Sequence, residues 1–296
     1  MARLFNAYVM VGWSAGSKPA TGKDSVWIGV LKPDARFRLQ FEGHNPATRE
    51  EAMVLLTKTV GDLTRLRQRV LLGFDFALGY PQGTAKALNL KQPDWRGLWN
   101  FLGNRVSDKP TNLNSRFNDA AQMNRLMTDQ PWPFWGCPPR DAQRTLTSTK
   151  PVYDKTALPP LLRRTEAALS PHPKPLWQLY GAGATGGHAI LGIPRARALL
   201  ESYGDKAQVW PFQTGWKAPV DLDALSVLIA EVNAATIDMK AEATEIPDRA
   251  KVRALAEHFA RLDDGGKLAA IFSAPKGTRE ADIAAVETEE GWILGA

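Results

Sequence analysis

The sequence predicts an α/β fold, a mixed central sheet flanked by helices, and three observations predict it. Short apolar segments with strand character alternate with helical patterns near both ends of the chain. Two of those apolar segments carry a lone carboxylate, Asp75 and Glu231, where open α/β sheets collect functional groups. Between the two regular regions lies a stretch of different composition. Thirteen of the 21 prolines fall between Pro81 and Pro175, interspersed with Trp95, Trp99, Trp132, Trp135 and Trp177. A flexible linker would not carry so many aromatic residues. The segment at about 82–175 therefore reads as an insertion of short helices and ordered loops within one domain spanning 1–296.

The elements follow in order. Tyr8 to Trp13, Ser25 to Leu31 and Phe37 to Phe41 read as three strands in a meander, separated by turns at Gly16–Gly22 and Lys32-Pro33-Asp34. Thr48 and Glu51 have capping-box spacing, and Ala52, Leu55, Leu56, Val60 and Leu63 follow helical periodicity to about Gln68. Val70 to Phe76 is a buried strand whose C-terminal end carries Asp75. Trp95–Val106 and Ser115–Met127 are the helical parts of the insertion. Leu176 to Tyr180 has strand character and leads into a glycine loop. A helix then runs through Leu200, with Gly192 and Pro194 as breaks within two turns. Val209–Trp216 and Val227–Val232 read as strands, and Pro247–Arg261 as a strong helix.

Composition narrows the class. The charge of +6 is spread along the chain and permits a polyanionic partner without demanding one. The single cysteine, Cys137, excludes a disulfide framework, and its neighbours supply no base, so it reads as a buried structural thiol. The N-terminal apolar run is too short for a signal peptide, and no stretch reaches the roughly 18 apolar residues of a membrane span. A soluble, cytoplasmic protein without membrane association is expected; oligomeric state is left open.

Four acidic residues are candidates for chemistry: Glu51, Asp75, Glu231 and Asp248. A carboxylate inside a sheet is expensive unless paired, hydrogen-bonded or metal-bound. Each also has a plainer reading as a helix cap or an ion-pair partner. A meander, a helix opening Arg49-Glu50-Glu51, a strand ending in Asp75 and a late helix opening with Asp248 resemble the RNase H-like fold. More closely, the chain resembles a bacterial family of unknown function described as predicted RNase H-like nucleases. The likeness rests on Val11-Gly12-Trp13-Ser14-Ala15, Gly73-Phe74-Asp75-Phe76 with Gly79-Tyr80-Pro81, Pro133-Phe134-Trp135-Gly136, Gly181-Ala182-Gly183, Ala230-Glu231-Val232 and Glu290-Gly291-Trp292-Ile293-Leu294-Gly295.

That resemblance implies a nuclease or phosphodiesterase using Mg²⁺ or Mn²⁺, with Glu51, Asp75 and Asp248 as ligands and Glu231 as a possible fourth. Two such ions about 4 Å apart activate a water and stabilise the leaving oxygen. Gly12 stands where the fold's first strand ends in a metal-bridging Asp. A non-catalytic nucleic-acid- or nucleotide-binding protein on the same fold is therefore the alternative.

Gly181-x-Gly183-x-x-Gly186 matches a dinucleotide fingerprint, with Glu201 near the place of a ribose-binding acid. It reads as a structural loop, as a phosphate cradle, or as the centre of an NAD-type enzyme. His44, His172, His188 and His258 lack metal-pair spacing, although His188 follows the glycine loop as a candidate general acid or phosphate ligand. No nucleophile elbow or P-loop is present. Trp95 and Trp99 have either core or base-stacking spacing. Arg163-Arg164 and Arg195 with Arg197 are candidate phosphate contacts or ordinary solvated faces.

Overall fold

The computed structural model describes residues 3–152, 159–219, 224–239 and 244–296. Six strands, β1 (Ala7–Gly12), β2 (Trp27–Pro33), β3 (Leu39–His44), β4 (Val70–Phe74), β5 (Ala207–Val209) and β6 (Val227–Glu231), form one sheet in the order β3-β2-β1-β4-β6-β5. The β1–β2 and β2–β3 pairs are antiparallel, whereas β1–β4, β4–β6 and β5–β6 are parallel. The sheet is mixed, as predicted. Register places Val11 beside Phe74 and Phe74 beside Glu231, so the carboxyl ends of the three central strands form one edge.

The helices are α1 (Arg49–Arg65), α2 (Thr84–Ala87), α3 (Trp95–Arg105), α4 (Arg116–Met127), α5 (Arg164–Ala168), α6 (Gly186–Tyr203), α7 (Pro247–Asp264), α8 (Leu268–Ile271) and α9 (Glu280–Ala285). The strand period of two divides the core between the sheet's faces. Ala7, Val9, Val11, Val70, Leu72, Val227 and Ile229 pack with α1, α3 and α6 on one face. Tyr8, Met10, Leu71, Leu228 and Ala230 pack with α7 and the C-terminal segment on the other. Strands covered on both faces read as continuous apolar runs, which is why β1, β4 and β6 were legible.

The region between β4 and α6 carries α2 to α5 and joins the first core; residues 153–158 within it lie outside the described ones. Trp99 packs edge-on against Trp95 with ring centroids 5.1 Å apart and donates its indole N–H to the Leu78 carbonyl. Trp95 also stacks on Phe212 at 5.0 Å. Both indoles are buried, so they are core residues and are not available to stack bases.

Several boundaries differ from the sequence reading, β4 ending at Phe74 ahead of Asp75 among them. Leu176–Tyr180 is a turn, closed by the Gln178 N–H donating to the Pro175 carbonyl, with a lone bridge from Gln178 to Trp135. Strand β5 ends at Val209, because the Gln213 N–H and side chain fold back onto that residue ahead of Trp216. Phe37 lies in the β2–β3 turn at φ 60° and is exposed, so β3 starts at Leu39. Helix α6, moreover, runs unbroken through Gly192 and Pro194. Pro194 removes one backbone donor, while Gly192 leaves the space that the Phe76 ring occupies, 2.4 Å from where a Cβ would stand.

A buried charge network fastens the middle region to the sheet. The Arg163 guanidinium donates to both carboxylate oxygens of Glu231 at 2.6 and 2.7 Å, to Glu166 and to the Glu290 carbonyl. Arg163 and Glu231 are 1% and 4% exposed. Removing one partner of a buried pair leaves the other charge uncompensated, which costs about 3–5 kcal/mol. Arg163→Met, which strands Glu231 and Glu166, is accordingly expected to lower the unfolding free energy by that amount in urea denaturation. A loss below about 1 kcal/mol would show that the network is solvated rather than buried.

Candidate functional site

The cleft at the carboxyl ends of β1 and β4 measures about 700 Å³. Its floor is built by the strand ends. Asp75 is the first residue after β4; its N–H donates to the Val11 carbonyl at 3.0 Å, and its Oδ1 accepts the Trp13 N–H at 2.6 Å. Asp248, in the first turn of α7, accepts the Asp24 N–H at 2.8 Å and the Lys251 ammonium at 2.8 Å. Asp24, Asp75, Asp248 and Lys251 thus share one wall.

Another part of the lining carries a cation. That part consists of the Gly181–Ala184 loop, Thr185, His188 and Arg116. Helix α6 starts here with no side-chain cap and no acidic residue in its first turn. Gly183 adopts φ 73°, a left-handed conformation that glycine tolerates, and this turns the loop toward α6. At Gly187 the absent side chain matters for space: the Arg116 Cδ lies 3.1 Å from where a Cβ would be. A guanidinium is therefore packed against the positive end of a helix dipole, an arrangement that favours an anion between them.

Arg116 is 8% exposed, and among the described residues it has no ion pair. One Nη donates to Ser17 and Asn114, the Nε finds no partner, and the guanidinium lies 4.1 Å from the Phe117 ring centre. Burial, with Arg49 nearby, pulls its pKa down to about 10. The same environment pulls His188 down to about 4, through burial first and then the charges of Arg116, Arg49 and Lys251. His188 is neutral at physiological pH, which removes it as a cationic phosphate ligand.

Burial pushes the Asp75 carboxyl up to about 7, with Asp248 adding to the rise and the Trp13 N–H and Lys251 opposing it. Lys251 is raised by Asp248, Asp75 and Asp24 against the effect of its own burial. Its ammonium is thus the counter-charge of the acidic wall.

The structure brings Asp75 and Asp248 together, and it does not bring Glu51 or Glu231 to them. Glu51 is exposed; its side chain accepts the Ala47 N–H and its own N–H donates to Thr48, the capping role its spacing allowed. Glu231 turns toward Arg163 and also accepts the Leu78 N–H at 3.1 Å. Gly12 lies at the end of β1, where a Cβ would stand 3.6 Å from Asp75 Oδ2. Among the described residues no group of three His, Cys, Asp or Glu is placed to hold a metal ion. The donors at this site do not fit a resident two-metal Mg²⁺ or Mn²⁺ centre. One expected ligand caps a helix, one is paired with arginine, one is glycine, and a lysine already neutralises Asp248.

The glycine loop divides in the same way. Gly181 and Gly183 line the cleft, whereas Gly186 is buried, with the Leu176 carbonyl 2.0 Å from where a Cβ would be. No strand precedes it, and Glu201 pairs with Arg197 roughly 22 Å along α6, so the dinucleotide geometry is not met. The arginine clusters are committed elsewhere. Arg163 serves Glu231, Arg164 serves Glu290 and Asp282, and Arg195 serves Glu50 and Asp108. Arg49 of the Arg49-Glu50-Glu51 motif is 1% exposed and donates to the Ser14 and Gly16 carbonyls and to Asp108, pinning the cleft's β1–β2 loop.

Arg116 and Lys251 were missed from sequence. Lys251 had a signal, one helical turn after Asp248. Arg116 had none, since its role depends on the long-range approach of α4 to Gly187. Compared with known families, curated proteins and solved structures, the chain matches none.

Two predictions test the acidic wall. A carboxyl raised from 3.8 to about 7 in the folded state favours the neutral form. Its contribution to stability is complete below about pH 4 and is lost as pH rises through about 7. Asp75→Asn keeps an acceptor for Trp13 and removes the titration. The variant should match the wild type near pH 4 and exceed it by roughly 2 kcal/mol at about pH 8, with cleft water screening part of the approximately 1.4 kcal/mol per pKa unit. A pH-independent gap would refute the assignment. Second, Gly12→Asp should create saturable Mn²⁺ binding by calorimetry that the wild type lacks. Equal binding by both chains would contradict the misfit to a metal centre.

Proposed function

We propose that this protein binds a phosphate ester, a nucleotide or nucleic acid, on an RNase H-like α/β scaffold. One observation carries the reading: the buried guanidinium of Arg116, without an ion pair among the described residues, lies against the N-terminus of α6, which has no side-chain cap. Two like-signed electrostatic ends in contact are stabilised by an anion that accepts from both. The scaffold assignment is supported by the order of its elements: an antiparallel meander, a helix opening Arg49-Glu50-Glu51, parallel β4 ending beside Asp75, and α7 opening with Asp248. The region between β4 and α6 is then the insertion that the composition suggested.

A second reading, phosphodiester hydrolysis, is favoured by Asp75. A carboxyl near 7, half-buried beside the anion site, has the proton affinity of a general base for water at neutral pH. On that reading Asp75 takes the proton of a water that attacks the phosphorus while Arg116 holds the phosphate, the P–O bond to the leaving sugar breaks, and the departing oxygen takes a proton from solvent. It predicts release of nucleotides from an oligonucleotide by the wild type, abolished in Asp75→Asn.

The binding reading is tested by calorimetry with inorganic phosphate and with thymidine monophosphate. Wild type should bind both, with affinity falling as salt rises. Arg116→Gln should weaken both at least tenfold, which is about 1.4 kcal/mol. Phosphate should also raise the Tm of the wild type and leave that of Arg116→Gln unmoved. A wild type indifferent to phosphate and nucleotide alike would sink the proposal.

A further inference from the structure

A second pocket of about 410 Å³ shares Tyr180 with the cleft. Tyr180 lines both pockets and is 55% exposed, the most exposed large aromatic side chain near the site. The far pocket is formed by Trp135, Ser148, Thr149, Lys150 and Lys174. Its base is rigid. The Trp135 N–H donates to Trp177, the Leu179 N–H donates to Trp135, and the Gly136 N–H donates to Thr147. The Gln178 side-chain amide donates to the Tyr180 carbonyl at 3.2 Å, fixing the aromatic residue's backbone between the two pockets.

The charges are arranged on both sides of that ring. On the cleft side stands Arg116 with the α6 terminus. In the second pocket Lys150 lies 5.4 Å from the Trp135 ring centre, and Lys174, which also lines it, packs its stem beside Gly183 of the cleft. Among the described residues neither lysine forms an ion pair. A mononucleotide places its phosphate at Arg116 and leaves the far cations without work. A base needs an aromatic face, and a second phosphate needs the lysines. Cation, exposed ring and cation in succession match phosphate, base and phosphate along one strand. A duplex keeps its bases paired and offers no face to Tyr180.

From this arrangement we infer that the ligand is a single-stranded nucleic acid crossing Tyr180, with one phosphate at Arg116, a base on the Tyr180 ring and the next phosphate at Lys150 and Lys174. The inference rests on the phosphate-ester reading of the cleft and extends it to a substrate class.

Fluorescence anisotropy of the full chain with labelled oligothymidylate tests it, with thymidine monophosphate as competitor. Lys150→Glu should weaken the oligonucleotide about tenfold and leave monophosphate binding unchanged. Tyr180→Ala should weaken the oligonucleotide by a similar factor, and Tyr180→Trp should restore it, which separates stacking from a structural effect. The annealed duplex should bind more weakly than the single strand. Oligonucleotide binding insensitive to Lys150→Glu and Tyr180→Ala, or a preference for duplex, would overturn the inference while leaving monophosphate binding intact. Loss of monophosphate and phosphate binding in the wild type would instead mark failure of the underlying reading.

Discussion

A sheet buried on both faces tolerates charge only where its strands end, and that constraint organises this molecule. Strands β1, β4 and β6 are apolar along their length, and their carboxyl ends lie in one row. Each end resolves the problem differently. Strand β6 ends in Glu231, which is neutralised by Arg163 and becomes a fastening point for the chain between β4 and α6. Strand β4 is followed by Asp75, held by the Trp13 N–H and left facing a cleft. Strand β1 ends in Gly12, with no charge to satisfy. A row that might have gathered carboxylates around cations instead separates them, so the acidic wall of the cleft is sparse.

The cleft's electrostatics follow from that sparseness. Lys251 is close enough to Asp248 for a direct hydrogen bond, and its charge also opposes the rise at Asp75. A lysine ammonium is a compact single charge on a flexible stem. It neutralises part of the wall without imposing the coordination geometry a divalent ion demands. Gly187 also lets Arg116 close on the first turn of α6. The cleft lining holds three carboxyls, Asp24, Asp75 and Asp248, and two cations, Lys251 and Arg116.

How much of this was readable beforehand depended on the range of the interactions. Continuous apolar runs gave away β1, β4 and β6 because burial on both faces is a property of the strand itself. The caps of α1 and the start of α7 were equally local. The errors were non-local. Leu176–Tyr180 has strand composition, yet its backbone is folded into a turn that supports Trp135 and Gly186. Gly192 and Pro194 look like helix breakers until the Phe76 ring is seen filling the space beside Gly192. Order along the chain anticipated that Asp75 and Asp248 would share a cleft, but not that Glu51 would be taken up by capping its own helix within four residues. Arg163 and Arg164 looked like solvated cations; their partners, Glu231, Glu290 and Asp282, lie 68 to 126 residues away.

The arginines make the last distinction. Arg49, Arg163, Arg164 and Arg195 each end on a carboxylate, and in doing so they hold loops and helices in place. Arg116 is buried nearly as deeply as Arg49, yet it ends on a serine, an asparagine and an aromatic ring. A buried guanidinium with neutral partners is destabilising unless something else supplies the negative charge. A chain that pairs its other buried arginines with carboxylates has left this one beside an open helix terminus, a glycine loop and solvent. Asp141 acts on it only at a distance, and on the reading proposed above an anion entering the cleft supplies the rest of its counter-charge.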